Sequence, residues 1–135
     1  MIAYLLDTDA CVFLMNGTRA ALAERVAAAR PDEVAISVVT AAELRYGAAK
    51  SAVRERSKAR LRLLLSGLTA LPFDLPAVEA YGVVRAALEA RGRPIGPLDT
   101  LIAAHAVSID ATLVTSNVRE FRRVRGLRVE DWAAG

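Results

Sequence analysis

The chain has 135 residues, 54% of them hydrophobic, and its lone cysteine excludes an internal disulfide and a cysteine-rich zinc site. The net charge is +3, and sixteen of the eighteen basic residues are arginine, which suits a phosphate-bearing partner without establishing one. No apolar run reaches the roughly 18 residues of a membrane-spanning helix, and no signal-peptide pattern precedes the first acid. We therefore predict a single domain over residues 1–135 that is cytoplasmic and makes no membrane contact.

The chain opens with an apolar run that predicts a buried strand. Residues 2–6 show no polar alternation, which is typical of a strand covered on both faces in a parallel sheet. The run stops at Asp7, which we place at the carboxyl end of the strand, where open α/β sheets bind their ligands. A short helix then carries Cys11 in an apolar stretch, which indicates a buried, inert thiol.

The rest of the chain alternates helices with strands. In chain order we predict a helix capped by Thr18 and ending near residue 30, a strand over 34–39, a helix from Thr40, a basic helix ending at Gly67, and a strand over 68–73. The second half continues with a helix over 75–91 capped by Asp74, an apolar helix from residue 98, a strand over 111–115, a turn or short helix over 116–121, and an edge strand over 127–129. This order indicates a three-layer α/β/α sandwich around a mainly parallel sheet of four or five strands.

Three carboxylates are predicted to meet at one edge of this sheet: Asp7, Glu43 and Asp99. Each alone has an ordinary explanation, as a helix cap, as part of a capping box with Thr40, or as a charge that suits a helix N-terminus. Together, three ionised carboxylates repel one another unless they hold a cation, and all-oxygen ligands select Mg²⁺ or Mn²⁺. Such an ion promotes attack of water on a phosphodiester. We therefore predict that these three acids are the catalytic metal ligands of a nuclease.

The fourth strand-to-helix junction is polar and basic. Asn117 follows the predicted strand, and Glu120 lies three residues further on in a second capping-box-like pattern. Five arginines lie at or after this junction: Arg119, Arg122, Arg123, Arg125 and Arg128. We predict contacts with RNA phosphates for the first three, with ordinary solvation as an equally good explanation.

Two other residues have simple structural explanations. His105 lies on an apolar helix face, which favours a buried, hydrogen-bonded histidine over a general base. Trp132 favours packing against the last strand over stacking on a nucleobase.

Several short motifs carry a resemblance to a known family. They are Leu6-Asp7-Thr8, Ser37-x-x-Thr-Ala-Ala-Glu43-Leu-Arg-Tyr-Gly47, Pro94-Ile-Gly-Pro-Leu-Asp99-x-x-Ile102-Ala-Ala-His105-Ala, Leu113-Val-Thr-Ser-Asn117-x-Arg-Glu120-Phe121 and Gly126-Leu-Arg-Val-Glu-Asp-Trp132. In this order and spacing they make the chain similar to the PIN-domain ribonucleases, in particular the VapC toxins of bacterial VapBC toxin–antitoxin pairs. The closing segments resemble most the branch that cleaves initiator tRNA in the anticodon stem-loop.

The resemblance implies roles for individual residues. Asp7, Glu43 and Asp99 match the family's acids that hold Mg²⁺, for which Mn²⁺ is a possible substitute. Asn117 stands where the family often has aspartate, and Glu120 is then expected to supply the missing acid through water. Thr115 or Ser116 is expected to assist by hydrogen bonding to the RNA site.

The resemblance also implies an activity and partners. The expected activity is Mg²⁺-dependent endoribonuclease cleavage of RNA, with tRNA as the expected target, which halts translation. The expected partners are a VapB-type antitoxin, which fills a groove that includes the basic helix over 50–62, and a second copy of the chain in a homodimer. A higher-order toxin–antitoxin complex follows from these two.

Two alternatives remain open from the residues alone. Asp7 and Asp9 also suit the nucleophile and acid of a haloacid-dehalogenase-type phosphatase, but the chain has no lysine after Lys58 and no late acidic pair that follows a strand. The second alternative is a non-catalytic, basic RNA- or protein-binding module whose acids only cap helices.

Overall fold

The fold is built on a parallel five-stranded sheet. The structure is a computed structural model that describes residues 1–133, so the last two residues of the predicted domain lie outside it. The strands are β1 (Tyr4–Leu6), β2 (Val34–Ser37), β3 (Thr69–Leu71), β4 (Thr112–Val114) and β5 (Val129–Glu130). Their order across the sheet is β3-β2-β1-β4-β5, with every neighbouring pair parallel. Because β1 is central, the carboxylate that follows it lies in the middle of the sheet edge.

Within residues 1–133, seven helices cover the two faces of the sheet. They are α1 (Thr8–Asn16), α2 (Ala20–Ala28), α3 (Val38–Lys50), α4 (Arg54–Gly67), α5 (Leu75–Ala90), α6 (Pro97–Ser108) and α7 (Val118–Phe121). Leu5 packs in a core with residues of α5 and α6, whereas Leu6 packs in a second core with residues of α1 to α4. Adjacent strand residues point to opposite faces, so a strand buried in both cores has an unbroken apolar run. The predicted α/β/α sandwich is therefore confirmed.

The junction between β2 and α3 differs from the prediction. The strand ends at Ser37 and the helix begins at Val38, two residues before the expected start at Thr40. The Ser37 hydroxyl accepts a hydrogen bond from the Val39 backbone N–H at 3.1 Å, so serine is the cap. Thr40 lies inside the helix and is buried, and the predicted Thr40–Glu43 capping box is wrong. The β-branched Val38 and Val39 favour a strand locally, but the serine cap already begins the helix.

Three other predicted helix starts are settled by hydrogen bonds. The first helix begins at Thr8 because Asp7 caps it. Thr18 does not cap the second helix, which begins at Ala20 without a side-chain cap bond. Asp74 caps α5 as predicted and accepts a hydrogen bond from the backbone N–H of Ala77 at 3.2 Å. Within residues 1–133, every helix is too short or too polar to cross a bilayer.

Candidate active site

Asp7 is the most constrained carboxylate at the sheet edge. Its side chain is 3% exposed. One oxygen, Oδ1, accepts a hydrogen bond from the Ala10 backbone N–H at 2.8 Å, and the other, Oδ2, accepts one from the Thr115 hydroxyl. Asp7 therefore caps α1, one of the two explanations offered by the sequence, and its role as a metal ligand stays a prediction.

Thr115 connects Asp7 to the junction after β4. Its hydroxyl oxygen accepts a hydrogen bond from the Asn117 backbone N–H at 2.9 Å while the hydroxyl donates to Asp7. The side chain is buried, and the neighbouring Ser116 is exposed. In this structure Thr115 thus orients a site carboxylate, whereas its predicted contact with RNA stays a prediction, as does that of Ser116.

The environment of Asp7 strongly disfavours its ionised form. Loss of hydration raises the pKa of Asp7 to about 7, repulsion from Asp9 and Asp99 adds to the rise, and the hydrogen bonds from Thr115 and Ala10 oppose it. Near neutral pH the side chain is therefore shared between its protonated and ionised forms unless a cation is nearby.

Glu43 reaches the same edge from α3 and is held more lightly. It lies in the second turn of the helix and is partly exposed, and its Oε1 accepts a hydrogen bond from the Thr8 hydroxyl at 2.6 Å. The oxygen of that hydroxyl lies 3.3 Å from the hydroxyl oxygen of Thr40. Thr8 thus orients Glu43 toward the end of β1, a role that sequence reasoning missed although Thr8 directly follows Asp7.

Asp99 lies in the first turn of α6, next to the other acids. Pro97 begins this helix, and a Cβ added at Gly96 would lie 3.5 Å from Asp99 Oδ2. The pKa of Asp99 is raised to about 6. Partial burial is the largest cause, and repulsion from Glu120, then Glu43, then Asp9 adds to it. Glu43 and Glu120 are thus close enough to Asp99 to repel it, and so is Asp9, which the predicted ligand set omitted.

Asn117 and Glu120 form a pair at the start of α7. The Asn117 amide donates a hydrogen bond to Glu120 Oε2 at 2.8 Å, and the Gly96 backbone N–H donates to Glu120 Oε1 at 3.2 Å. Asn117 makes no side-chain cap bond, so the pattern is not a capping box. Glu120 instead ties α7 to the loop that begins α6 and presents Asp99.

Within residues 1–133, no three histidine, cysteine, aspartate or glutamate side chains converge closely enough to form a metal-binding cluster. The donor set nevertheless fits a hard divalent cation, because it consists of carboxylate oxygens, and the pKa values of two of these carboxyls are raised first by burial and then by repulsion from neighbouring acids. Asp7, Glu43 and Asp99 are the residues that would hold such an ion. Their assignment as ligands stays a prediction.

The arginines near the site fall into two groups. Arg119, Arg122 and Arg125 are exposed. Arg123 donates a hydrogen bond to the Pro94 carbonyl at 3.1 Å, and Arg128 forms an ion pair with Asp110 at 3.0 Å. The second group therefore makes intramolecular contacts in this structure, and RNA contacts remain a prediction for Arg119, Arg122 and Arg123.

The three residues expected to be structural are so. His105 is 1% exposed, its Nδ1 lies 2.8 Å from the Ser37 hydroxyl oxygen, and its pKa is lowered by burial. Trp132 is buried, its ring centroid lies 4.8 Å from that of Tyr4, and its indole N–H donates a hydrogen bond to Glu130. Cys11 is buried, which raises the pKa of its thiol.

Comparison with known proteins gives a consistent result. A profile of the PIN domain matches residues 4–127. The tRNA(fMet)-specific endonuclease VapC of Shigella flexneri is 42% identical over 133 residues, covering 98% of this chain and all of the relative. A chain of the DNA-bound VapBC crystal structure from Salmonella typhimurium superposes with a TM-score of 0.93 at 39% identity, over 98% of this chain and 99% of that one. A chain of the VapBC2 structure from Rickettsia felis, bound to a promoter DNA fragment, superposes with a TM-score of 0.92 at 36% identity, over 97% of this chain and 99% of that one.

Proposed function

The chain belongs to the PIN domain family, and on that premise we propose that it is a divalent-metal-dependent endoribonuclease, the toxin of a VapBC-type toxin–antitoxin pair. The observation that carries the proposal is the position of Asp99, which repels both Asp7 and Glu43 at the carboxyl ends of the strands, in a chain 42% identical to a tRNA endonuclease. Membership in this family leaves no support for the phosphatase alternative, which requires a different arrangement of acids and a lysine.

The chain's own residues prepare the edge for phosphodiester hydrolysis. Thr115 and the Ala10 N–H hold the two oxygens of Asp7 in place, and Thr8 turns Glu43 toward the same space. Near neutral pH and in the absence of a cation, Asp7 with a pKa of about 7 is protonated in part of the molecules, whereas Asp99 with a pKa of about 6 is mostly ionised, so binding of a cation releases protons chiefly from Asp7 and strengthens with rising pH. Mg²⁺, with Mn²⁺ as substitute, would supply Lewis-acid activation of water and of the phosphodiester.

The proposed substrate and partners come from the relatives. The Shigella flexneri protein is named for tRNA(fMet), which supports tRNA as the RNA that is cut. The two VapBC structures support a VapB-type antitoxin as partner. A homodimer and a higher-order toxin–antitoxin complex stay part of the proposal, as the family resemblance implies. A tRNA substrate also supports the cytoplasm as the site of action. The exposed Arg119 and Arg122 are the basic side chains best available to hold RNA phosphates.

The test compares two aspartates that cap helices in the same way. Asp7 and Asp74 are both N-caps, and the carboxylate of each accepts a hydrogen bond from the backbone N–H three residues further along the chain, that of Ala10 or Ala77. Asparagine caps a helix about as well as aspartate, so both Asp7→Asn and Asp74→Asn are expected to fold. With antitoxin-free protein, a tRNA pool and Mg²⁺, we expect discrete fragments from the wild type and from Asp74→Asn. Asp7→Asn and wild type in EDTA are expected to lose at least about 100-fold in rate.

A different outcome would identify a different function. If folded, antitoxin-free wild type cuts neither tRNA nor other RNA in Mg²⁺ or Mn²⁺, the nuclease proposal fails and the non-catalytic binding module remains. If Asp7→Asn and Asp74→Asn cleave equally well, Asp7 is only a helix cap and the assigned active site is wrong.

A further inference from the structure

We propose that α3 carries an RNA-binding step next to the acidic edge, formed by Tyr46, Gly47 and Lys50. The step receives one unpaired nucleotide close to the phosphodiester that is cut, with its base against Tyr46 and its phosphate near Lys50. The proposal rests on the proposed ribonuclease function and names the part of the RNA that this surface recognises.

Tyr46 is the first observation. Of the seven aromatic residues in the chain, all within residues 1–133, it alone is exposed, and its exposed fraction is 66%. Lys50 Nζ lies 4.9 Å from the ring centroid, over one face of the ring. Most of Tyr46 is in solvent, which leaves room for a base to stack on its ring. Aromatic rings with neighbouring cations are the usual platforms for unpaired nucleobases.

The position of Tyr46 connects it to the active site. Residues three, four and seven positions apart lie on the same side of a helix, so Tyr46, Gly47 and Lys50 share a side with Glu43. The hydrogen bond from Thr8 shows that Glu43 points toward the acidic edge. A base stacked on Tyr46 therefore lies about one helical turn from a site carboxylate. A nucleotide there is adjacent to the reacting phosphate.

Gly47 is the second, independent observation. It lies inside α3, where glycine is less favourable than alanine. The backbone does not require it, since its φ is not positive, and a Cβ built at this position would meet no atom within 4 Å. No intramolecular contact thus explains the missing side chain. A bare stretch of helix beside Glu43 lets a nucleotide backbone approach closely, which is a common use of glycine.

The charge of the surroundings favours RNA as the occupant. The groove between α3 and α4, with a volume of about 440 Å³, is lined by Arg45, Lys58 and Arg62 together with apolar side chains. Arg45 borders this groove from the side of α3 opposite Tyr46 and Lys50, so the groove is separate from the step. Within the step itself, Lys50 supplies the cation beside the ring, which suits a nucleotide with its base on Tyr46 and its phosphate at Lys50. An acidic protein segment is the competing occupant, and the experiments below distinguish it.

The first experiment measures binding rather than cleavage. In the inactive Asp7→Asn background, the Kd of a fluorescent anticodon stem-loop RNA is measured with Tyr46, Tyr46→Phe and Tyr46→Ala. We expect phenylalanine to bind like tyrosine and alanine to raise the Kd roughly 10-fold, as for loss of one stacked base. Because Tyr46 is exposed, the substitutions should leave the melting temperature unchanged.

An abasic scan then tests the stacking itself. Single abasic nucleotides are placed in turn through the RNA loop. At one position, removal of the base is expected to raise the Kd of the Tyr46 protein by the same factor as Tyr46→Ala, and to have no further effect on the Tyr46→Ala protein. Additive effects at every position would overturn the proposal, since Tyr46 would then not contact a base. This result is independent of cleavage, so failure of the wild type to cut RNA would reject the proposed function alone.

Glycine offers a matched pair of variants. Gly47 in α3 and Gly82 in α5 are both helical, and an added Cβ meets nothing within 4 Å at either. Gly47→Ala and Gly82→Ala should both raise the melting temperature, but only Gly47→Ala should raise the Kd for RNA, by several-fold. Equal RNA affinity for the two variants would overturn the proposal. So would a loss confined to antitoxin affinity, because the surface would then recognise protein.

Discussion

Asp7 and Glu43 belong to the same acidic edge, but the protein holds them by different means. Asp7 is buried at the end of a central strand, with both carboxylate oxygens hydrogen-bonded to groups of the protein. Glu43 projects from α3, is partly exposed and accepts one hydrogen bond, from Thr8. We call these the strand-end side, comprising Asp7, Thr115 and Asn117, and the α3 side, comprising Glu43, Tyr46, Gly47 and Lys50.

The difference separates two tasks of an active site. The strand-end side fixes a carboxylate at the cost of dehydrating it, so it stores unfavourable free energy that a bound cation relieves. The α3 side leaves the Tyr46 ring, the side-chain-free Gly47 and the Lys50 ammonium group accessible to solvent, where a large substrate can reach them. Substitutions on the strand-end side should therefore change stability and chemistry together, whereas those on the α3 side should change substrate binding with little effect on stability.

The largest contrast is expected from neutralising the two acids. In metal-free protein at pH 8, Asp7→Asn should increase the free energy of unfolding by up to about 4 kcal/mol, since burial raises the pKa of Asp7 from 3.8 to about 7. Glu43→Gln should change it by less than about 0.5 kcal/mol. Both variants should lose cleavage. Urea denaturation in EDTA measures the stabilities.

The pH dependence has a definite sign. The native state of the wild type keeps a proton on Asp7 that the unfolded chain has already released, so the stability associated with this proton is present below pH 3.8 and is lost as the pH rises through about 7. The advantage of Asp7→Asn should accordingly fall to below about 2 kcal/mol at pH 5. An advantage that grows toward low pH would contradict the assignment of the buried proton to Asp7.

A middle-sized contrast comes from removing one hydroxyl on each side. Thr115→Val deletes the donor to Asp7 Oδ2 and the acceptor for the Asn117 N–H in a buried place, and should cost about 1–3 kcal/mol. Thr8→Val deletes the donor to Glu43 in a partly exposed place and should cost below about 1 kcal/mol. Thermal melts of both variants in EDTA give the comparison. Equal costs would show that the two sides are equally rigid.

The smallest expected effect concerns a contact between α6 and the start of α3. His105 of α6 contacts Ser37, the cap of α3, and the edge of the Phe73 ring, with Asp74 as the charged group that acts on it. Burial lowers the pKa of His105, so its contribution to stability is complete above the unfolded value of 6.5 and is lost as the pH falls below it. His105→Gln should remove this acid-side slope from the stability curve. An unchanged slope would mean that other groups cause it.

Much of this architecture can be predicted from the sequence because it depends on local patterns. An apolar run of five residues that ends in aspartate predicts both the central strand and its carboxylate, and the alternation of strands and helices predicts the parallel sheet. The capping role of Asp74 and the burial of His105, Trp132 and Cys11 follow from neighbours within a turn or two. These features need no knowledge of distant contacts.

Other features depend on partners far away in sequence and were decided by the tertiary structure. Ser37 ends β2 and is contacted by His105, 68 residues away, and Thr115 donates to Asp7 across 108 residues. Arg123 donates a hydrogen bond to the Pro94 carbonyl. Nothing in the sequence separates it from the other four arginines of residues 119–128, yet it holds the loop before α6. The sequence by itself determined which residues stand at the ends of strands, because hydrophobic periodicity is a local property. Only the tertiary structure decided which of these residues are buried, which accept a hydrogen bond from a distant hydroxyl and which face solvent, because these depend on distances that only the folded chain defines.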